Sequence, residues 1–293
     1  MSSSDPESLV LTLLGTGCPI VDPNRLGPSA LVRAGGQNLL VDCGSGVTQR
    51  LVQAGCPGRD IDALLLTHLH SDHVIDLMQL VISSWHQGRQ RPLKIYGPAG
   101  TRKFTTALLG AWRDELDQRI EFECRTSVEG LELDVEEVEQ GEIFSIGGLA
   151  VNAIEVDHRP VVPAFGFGFR FNGRHLVLSG DTTYCPGLIE HAQGCDVLVH
   201  EVFIHSQIRP SGGTRSSRTM ENVASYHTLD DVVGRVAAEA GAGTLVLTHF
   251  VPPAFDEAAL EETVRRSWDG RLRIGHDLCT VDVGGSETPG KDQ

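Results

Sequence analysis

The stretch Leu64 to Asp76, LLLTHLHSDHVID, constrains this 293-residue chain more than any other. Leu64, Leu65 and Leu66 form a short apolar run of the kind that fills a buried strand. Directly behind it come four side chains able to bind a metal, His68, His70, Asp72 and His73, within six residues. An extended chain puts residues two apart on the same side, so His68 and His70 point together. Asp72 and His73 then fall in the turn that opens a helix. Met78, Val81 and Trp85 continue beyond it at helical spacing. Core-type sequence on both flanks argues against a surface loop that happens to be rich in histidine. Imidazole and carboxylate together suit zinc, with manganese or iron as alternatives.

The same arrangement recurs. HLVLSGD, VLVHE and LVLTH are apolar runs that deliver Asp181, His200 with Glu201, and His249 at their C-terminal ends, and Val151 to Val156 delivers Asp157 and His158. Several buried strands thus bring chemistry to one rim, with helical segments between them, which predicts layered α/β architecture rather than a simple parallel sheet. Gly35-Gly36 marks a hairpin between Ser29–Arg33 and Gln37–Val41, whose second strand runs into Asp42. Asp42 is expected to be a buried carboxylate that supports the ligands. Thr228 with Asp231 reads as a capping box that starts a helix running to Ala240. No linker interrupts the pattern, so residues 1–283 are read as a single domain, with a disordered tail over 284–293.

Seven candidate ligands emerge: His68, His70, Asp72, His73, His158, Asp181 and His249. They exceed what one tetrahedral ion takes, but suit two ions that share a carboxylate. Coordination would bring the pKa of a bound water down to about 7 and supply a nucleophile at neutral pH. The net charge of −15 argues against nucleic acid as a partner, because sequence-independent binding relies on basic surface. No run approaches the roughly 18 apolar residues of a membrane span. The polar start MSSSDPES is unlike a signal peptide, and seven scattered cysteines without a CxxC motif suggest reduced thiols. A cytoplasmic location is expected.

HxHxDH followed by a distant His, an Asp and a last His resembles the metallo-β-lactamase superfamily, over nearly the whole chain. The resemblance implies a four-layer αββα sandwich. It assigns His68, His70 and His158 to one zinc ion and Asp72, His73 and His249 to the other, with Asp181 bridging. LLGTGCP, VDCGSG, HRPVVPAFGFGFR, SGDT, HEVF and HTL are similar to the branch that holds tRNase Z and the zinc arylsulfatases. In that branch a His and a Glu form the pair that protonates the leaving group, which here match His227 and Glu201; Asp72 is the third residue expected to serve catalysis. The activity implied is hydrolysis of a phosphodiester or an aryl sulfate ester, with a metal-bound hydroxide as nucleophile. Lactone or β-lactam hydrolysis, tRNA 3′ processing and a non-catalytic binding role are the alternatives. The gripping arm of long-arm tRNase Z has no room between His158 and Asp181, which lie 23 residues apart, and Pro252-Pro253 follow His249 where that enzyme carries serines and an arginine. Both departures favour a small anionic ester as substrate. A homodimer is the expected assembly by resemblance, and the loop His205 to Tyr226, with Arg209, Arg215 and Arg218, is a candidate flap over the site.

Overall fold

A computed structural model describes residues 7–209 and 216–285. It contains two seven-stranded mixed sheets packed face to face, with helices outside both. Strands β1 (Val10–Gly15), β2 (Ser29–Ala34), β3 (Gln37–Val41), β4 (Ala63–Leu65), β5 (Leu93–Gly97) and β6 (Leu133–Glu137) build the first sheet in that spatial order. Strands β7 (Gly141–Ile146), β8 (Leu149–Glu155), β9 (Phe165–Phe171), β10 (Arg174–Leu178), β11 (Val197–Phe203), β12 (Thr244–Val251) and β13 (Arg271–Ile274) build the second. The last strand, β14 (Thr280–Asp282), returns to pair with β1 at the edge of the first sheet. The helices are α1 (Val47–Gln53), α2 (Ser71–Val74), α3 (Leu77–His86), α4 (Thr101–Ala111), α5 (Arg113–Phe122), α6 (Pro186–His191), α7 (Ser217–Ala224), α8 (Val233–Ala240) and α9 (Glu257–Arg265). This is the expected αββα sandwich.

Side-chain alternation explains the layering. Along β3, Leu39 and Val41 enter the core between the sheets while Leu40 packs outward against the α1 and α3 layer. Both faces are covered, so the central strands read as continuous apolar runs rather than alternating ones. In β9 the period of two is explicit: Phe165, Phe167, Phe169 and Phe171 all join the core between the sheets. The outer face of the second sheet is covered by α6, α8 and α9 through Leu188, Val236 and Leu260.

Strands β3, β4 and β5 are mutually parallel, and so are β10, β11 and β12. Their registers align Val41 with Leu65, and Leu178 with Val199 and Val246, so the residues just beyond these share one rim of the sandwich. The turn at Gly180 is part of that construction. Its φ is +60°, and a Cβ there would come within 2.3 Å of the Phe165 carbonyl oxygen, so only glycine fits.

One local expectation fails. Thr228 does not cap a helix. Its hydroxyl donates to the Thr182 carbonyl at 2.7 Å, its N–H points to Glu201, and α8 begins only at Val233. The polar pattern that looks like a cap is used instead to join two loops of the site. None of the seven cysteines is in a disulfide. No helix of the described residues is long and apolar enough to cross a membrane. The expected tail from residue 286 onward, and Arg215 of the flap, lie outside the described residues.

Candidate metal centre and active site

The organising stretch behaves as its sequence suggests. β4 stops at Leu65, Leu66 N–H bonds the Tyr96 carbonyl, and the chain leaves the sheet carrying Thr67, His68 and His70. Asp72 and His73 sit in the short helix α2. Asp42, beyond β3, takes a left-handed φ of 58°. Its carboxylate accepts the Thr67 N–H at 2.8 Å and the Thr67 hydroxyl, and its Oδ2 accepts His73 Nδ1 at 2.8 Å. Thr67 Oγ1 in turn faces His68 Nδ1 at 3.0 Å. Asp42 thus fixes two rings, one directly and one through Thr67, and leaves each Nε2 aimed at the centre. His158 is fixed likewise, its Nδ1 bonded at 2.9 Å to the carbonyl of Tyr226.

His249 arrives by another device. The ladder between β11 and β12 slips between Glu201 and Val202, which leaves His249 as the extra residue of a bulge with φ 45°. A bulge re-aims a side chain, and here it turns His249 into the rim.

The seven expected ligands come together in two groups: His68, His70, His158 and Asp181, and Asp72, His73 and His249. Within each group the potential ligand atoms lie within 4.8 Å of one another. Asp181 Oδ2 touches both, 3.3 Å from His73 Nε2, 3.4 Å from His249 Nε2, 3.8 Å from His68 Nε2 and 3.9 Å from His158 Nε2.

The donor set fits divalent metal. His73 Nε2 and His249 Nε2 face each other at 3.2 Å, as do His158 Nε2 and His70 Nδ1. With protons held on Nδ1 of His73 and His158, their Nε2 atoms keep lone pairs directed into the cluster, as ligation requires. The edge of a tetrahedron with metal–nitrogen bonds of about 2.05 Å is about 3.3 Å, close to these separations. His68 Nε2 is buried and has no hydrogen-bond partner among the described residues. Electrostatics agree. Burial favours a neutral Asp181, yet the charges of His249 and His73 hold its carboxyl well below the usual carboxylate range. Burial would also lower His249, but Asp181 and Asp72 raise it to about 9. The centre demands positive charge.

Beside this cluster lies the expected acid pair. His227 Nδ1 meets Glu201 Oε1 at 2.8 Å, and both side chains are buried. The same oxygen accepts Thr182 N–H at 3.0 Å. The imidazole is stacked near-parallel to Phe203, 13° between planes, and lies 5.3 Å from the His158 ring and 5.8 Å from the His249 ring. Burial lowers the His227 pKa, but Glu201 outweighs it and the net shift is upward. With Nδ1 engaged, Nε2 is left for the cleft. His200, by contrast, bonds the Glu201 carbonyl and belongs to neither group, as expected of a structural histidine.

Cluster and acid pair open into a cleft of about 580 Å³. Its walls are the Cys18–Asp22 loop, Met220 and Val223 of α7, Tyr226, and Val251 to Ala254. Sequence reasoning missed Thr67 and Tyr226. The threonine of LLLTH was a legible signal, whereas Tyr226 acts on His158 through its carbonyl, which no side-chain pattern reveals. It also missed the Ile20–Val21 wall.

Two stacked sheets with helices outside and a His/Asp cluster at their shared rim define a metal-dependent hydrolase of the metallo-β-lactamase fold. Solved structures agree: the metallo-β-lactamase fold protein YhfI from Bacillus subtilis superposes with a TM-score of 0.74 at 20% identity, covering 94% of this chain and 99% of that one. The short form of human tRNase Z superposes at 0.67 and 23% identity, covering 93% and 98%. Ribonuclease Z of Mycolicibacterium paratuberculosis is 41% identical over 278 residues, 93% of this chain and 98% of the relative, and that of Mycobacterium marinum is 40% identical over the same shares. The chain belongs to the ribonuclease Z family and, through residues 9–212, to the family whose model is described as Anti-Pycsar protein Apyc1. These relatives are named for cleaving RNA, which conflicts with the expectation, drawn from net charge, that nucleic acid is no partner. Net charge averages the whole surface and says nothing of one cleft.

Proposed function

We propose that the protein hydrolyses a phosphodiester bond of RNA, in the manner its ribonuclease Z relatives are named for. In this reading His68, His70 and His158 would hold one divalent ion and Asp72, His73 and His249 a second, and Asp181, whose Oδ2 approaches histidines of both groups, would serve both. The ions, zinc in this proposal, supply Lewis acidity toward the phosphate oxygens when bound. The chain's own residues do the rest. Asp42 and the Tyr226 carbonyl hold the imidazole rings in place. Water adds to phosphorus and releases a proton to the solvent, the bond from phosphorus to the leaving oxygen breaks, and His227 Nε2 gives that oxygen its proton. Glu201 keeps His227 charged and oriented for the transfer.

The observation that carries the reading is the 2.8 Å His227–Glu201 pair opening on the same cleft as the seven-residue cluster. An alkoxide leaving from phosphorus needs a proton donor there. A second reading keeps the chemistry and changes the substrate to a small phosphodiester or an aryl sulfate. It is favoured by the cleft itself, where Arg209 is the one Lys or Arg among the described lining residues, against Asp22, Asp72 and Asp181. The test is turnover by metal-loaded protein on a panel: a tRNA precursor with a 3′ trailer, an aryl phosphodiester, an aryl sulfate, a lactone and a β-lactam. Cleavage of the precursor at its 3′ side is the expected result. Turnover of the small esters alone would replace the first reading by the second, and turnover of the lactone or β-lactam alone would overturn both.

A further inference from the structure

Every buried histidine of the cluster except one has its outward nitrogen held by the protein. His68 Nδ1 faces Thr67, His73 Nδ1 faces Asp42, and His158 Nδ1 bonds the Tyr226 carbonyl. His249 Nδ1 is buried and has no partner among the described residues. The exception matters, because the partner behind a ligating imidazole sets its tautomer and direction.

A second unpartnered atom belongs to the same neighbourhood. Glu201 is 1% exposed. Its Oε1 accepts from Thr182, His227 and Thr228, while its Oε2 is buried with no hydrogen bond. A bare carboxylate oxygen in the interior is costly unless something donates to it. Glu201 and His249 line one cavity of about 50 Å³ that lies between the two sheets beneath the cluster. A water needs roughly 10–15 Å³ of such space and two or more polar partners. Ser179, Thr248 and Asp181 also border it.

We propose that this cavity is a structural water site through which Glu201 Oε2 holds His249 Nδ1–H. One carboxylate then serves two masters: its Oε1 orients the proton donor His227, and its Oε2, through water, orients a ligand of the Asp72, His73 and His249 group. Glu201 is a positioning residue for both. The proposal rests on the reading of His249 as a ligand, and it predicts something the acid role alone does not. If Glu201 acted only through the Oε1 contacts to His227, Thr182 and Thr228, filling the cavity would leave metal binding untouched. If a water there also steadies His249, filling it weakens the ion that His249 holds.

The experiment measures zinc affinity at each of the two sites by competition with a chromogenic chelator, on the full chain. His227→Ala is expected to bind both ions as the wild type does. Glu201→Leu is expected to bind the second ion about 10–100-fold more weakly. Ala30→Val, which adds two methyl groups on the cavity wall at a residue outside the His227–Glu201 pair and the seven candidate ligands, is expected to weaken the same ion in the same range and tests the idea should Glu201→Leu not fold. A high-resolution crystal structure of the zinc-loaded protein is expected to show a water within hydrogen-bonding distance of both Glu201 Oε2 and His249 Nδ1. A dry cavity, or wild-type zinc affinity in Ala30→Val, overturns the water site while leaving the hydrolase reading intact. A wild-type protein that takes up no zinc, manganese or iron overturns both.

Discussion

At the scale of single residues, the site divides its labour between side chains that face the cleft and side chains that face away from it. His227 belongs to the first kind. Its replacement by alanine removes the proton donor but not the cluster, so kcat on a substrate with a poor leaving group is expected to fall about 10²–10⁴-fold with metal content unchanged. Steady-state rates alongside metal analysis check this, and an unaltered kcat would remove His227 from the reaction. Asp42 and Thr67 are of the second kind. VDCGSG made Asp42 legible as a supporting carboxylate, because a lone acid at the end of an apolar strand has no other use. The candidate ligands were legible because they follow hydrophobic runs, His68 to His73 as a cluster and His158, Asp181 and His249 singly. Tyr226 was not legible, since its contribution is a carbonyl oxygen, the same atom in every residue type. Thr228 was misread because a threonine three residues before an aspartate looks the same whether it caps a helix or ties Glu201 to Thr182.

At the scale of elements, turns and irregularities place the chemistry, and regular structure only carries it there. His249 reaches the rim because β12 bulges, and no sequence pattern announces a bulge inside LVLTHFV. Asp181 reaches it through the turn at Gly180. Gly180→Ala forces a Cβ against the Phe165 carbonyl at a positive φ. It is expected to cost on the order of 1–3 kcal/mol of stability, read as a lower urea midpoint. An unchanged midpoint would show that the turn can relax. The segment after β11 is the least legible element. Its Arg-, Ser- and Gly-rich composition suggested a flap, and α7 does wall the cleft with Met220 and Val223, but an amphipathic helix of eight residues was not foreseen there.

At the scale of the molecule, stability should respond to pH through a group far from the metals. His175 on β10 is 6% exposed, and burial, with the nearby Arg170 charge, lowers its pKa to about 4. In the unfolded chain it titrates near 6.5. Between those values the unfolded state takes up a proton that the folded state refuses, so stability is complete above about pH 6.5 and declines as pH falls toward 4. Replacing His175 by Gln should remove on the order of 1–2 kcal/mol of that decline; urea unfolding at pH 7 and pH 5 compares the two slopes, and identical slopes would refute the assignment. Metal should act on the whole fold as well, because ions bound only by the native state stabilise it by mass action. Dialysis against a chelator is expected to lower Tm, and readdition of zinc to restore it.

The seven cluster residues are drawn from both sheets: His68, His70, Asp72 and His73 follow β4, His158 and Asp181 follow strands of the second sheet, and His249 sits in the bulge of β12. A chain emerging from the ribosome therefore holds an incomplete claw until residue 249 is out, when most of its length has already been made. Its first half can offer a passing ion a loose grip and nothing more. Hydrolytic power arrives late, when the two halves close on each other, so an unfinished copy lacks the complete site with which to act.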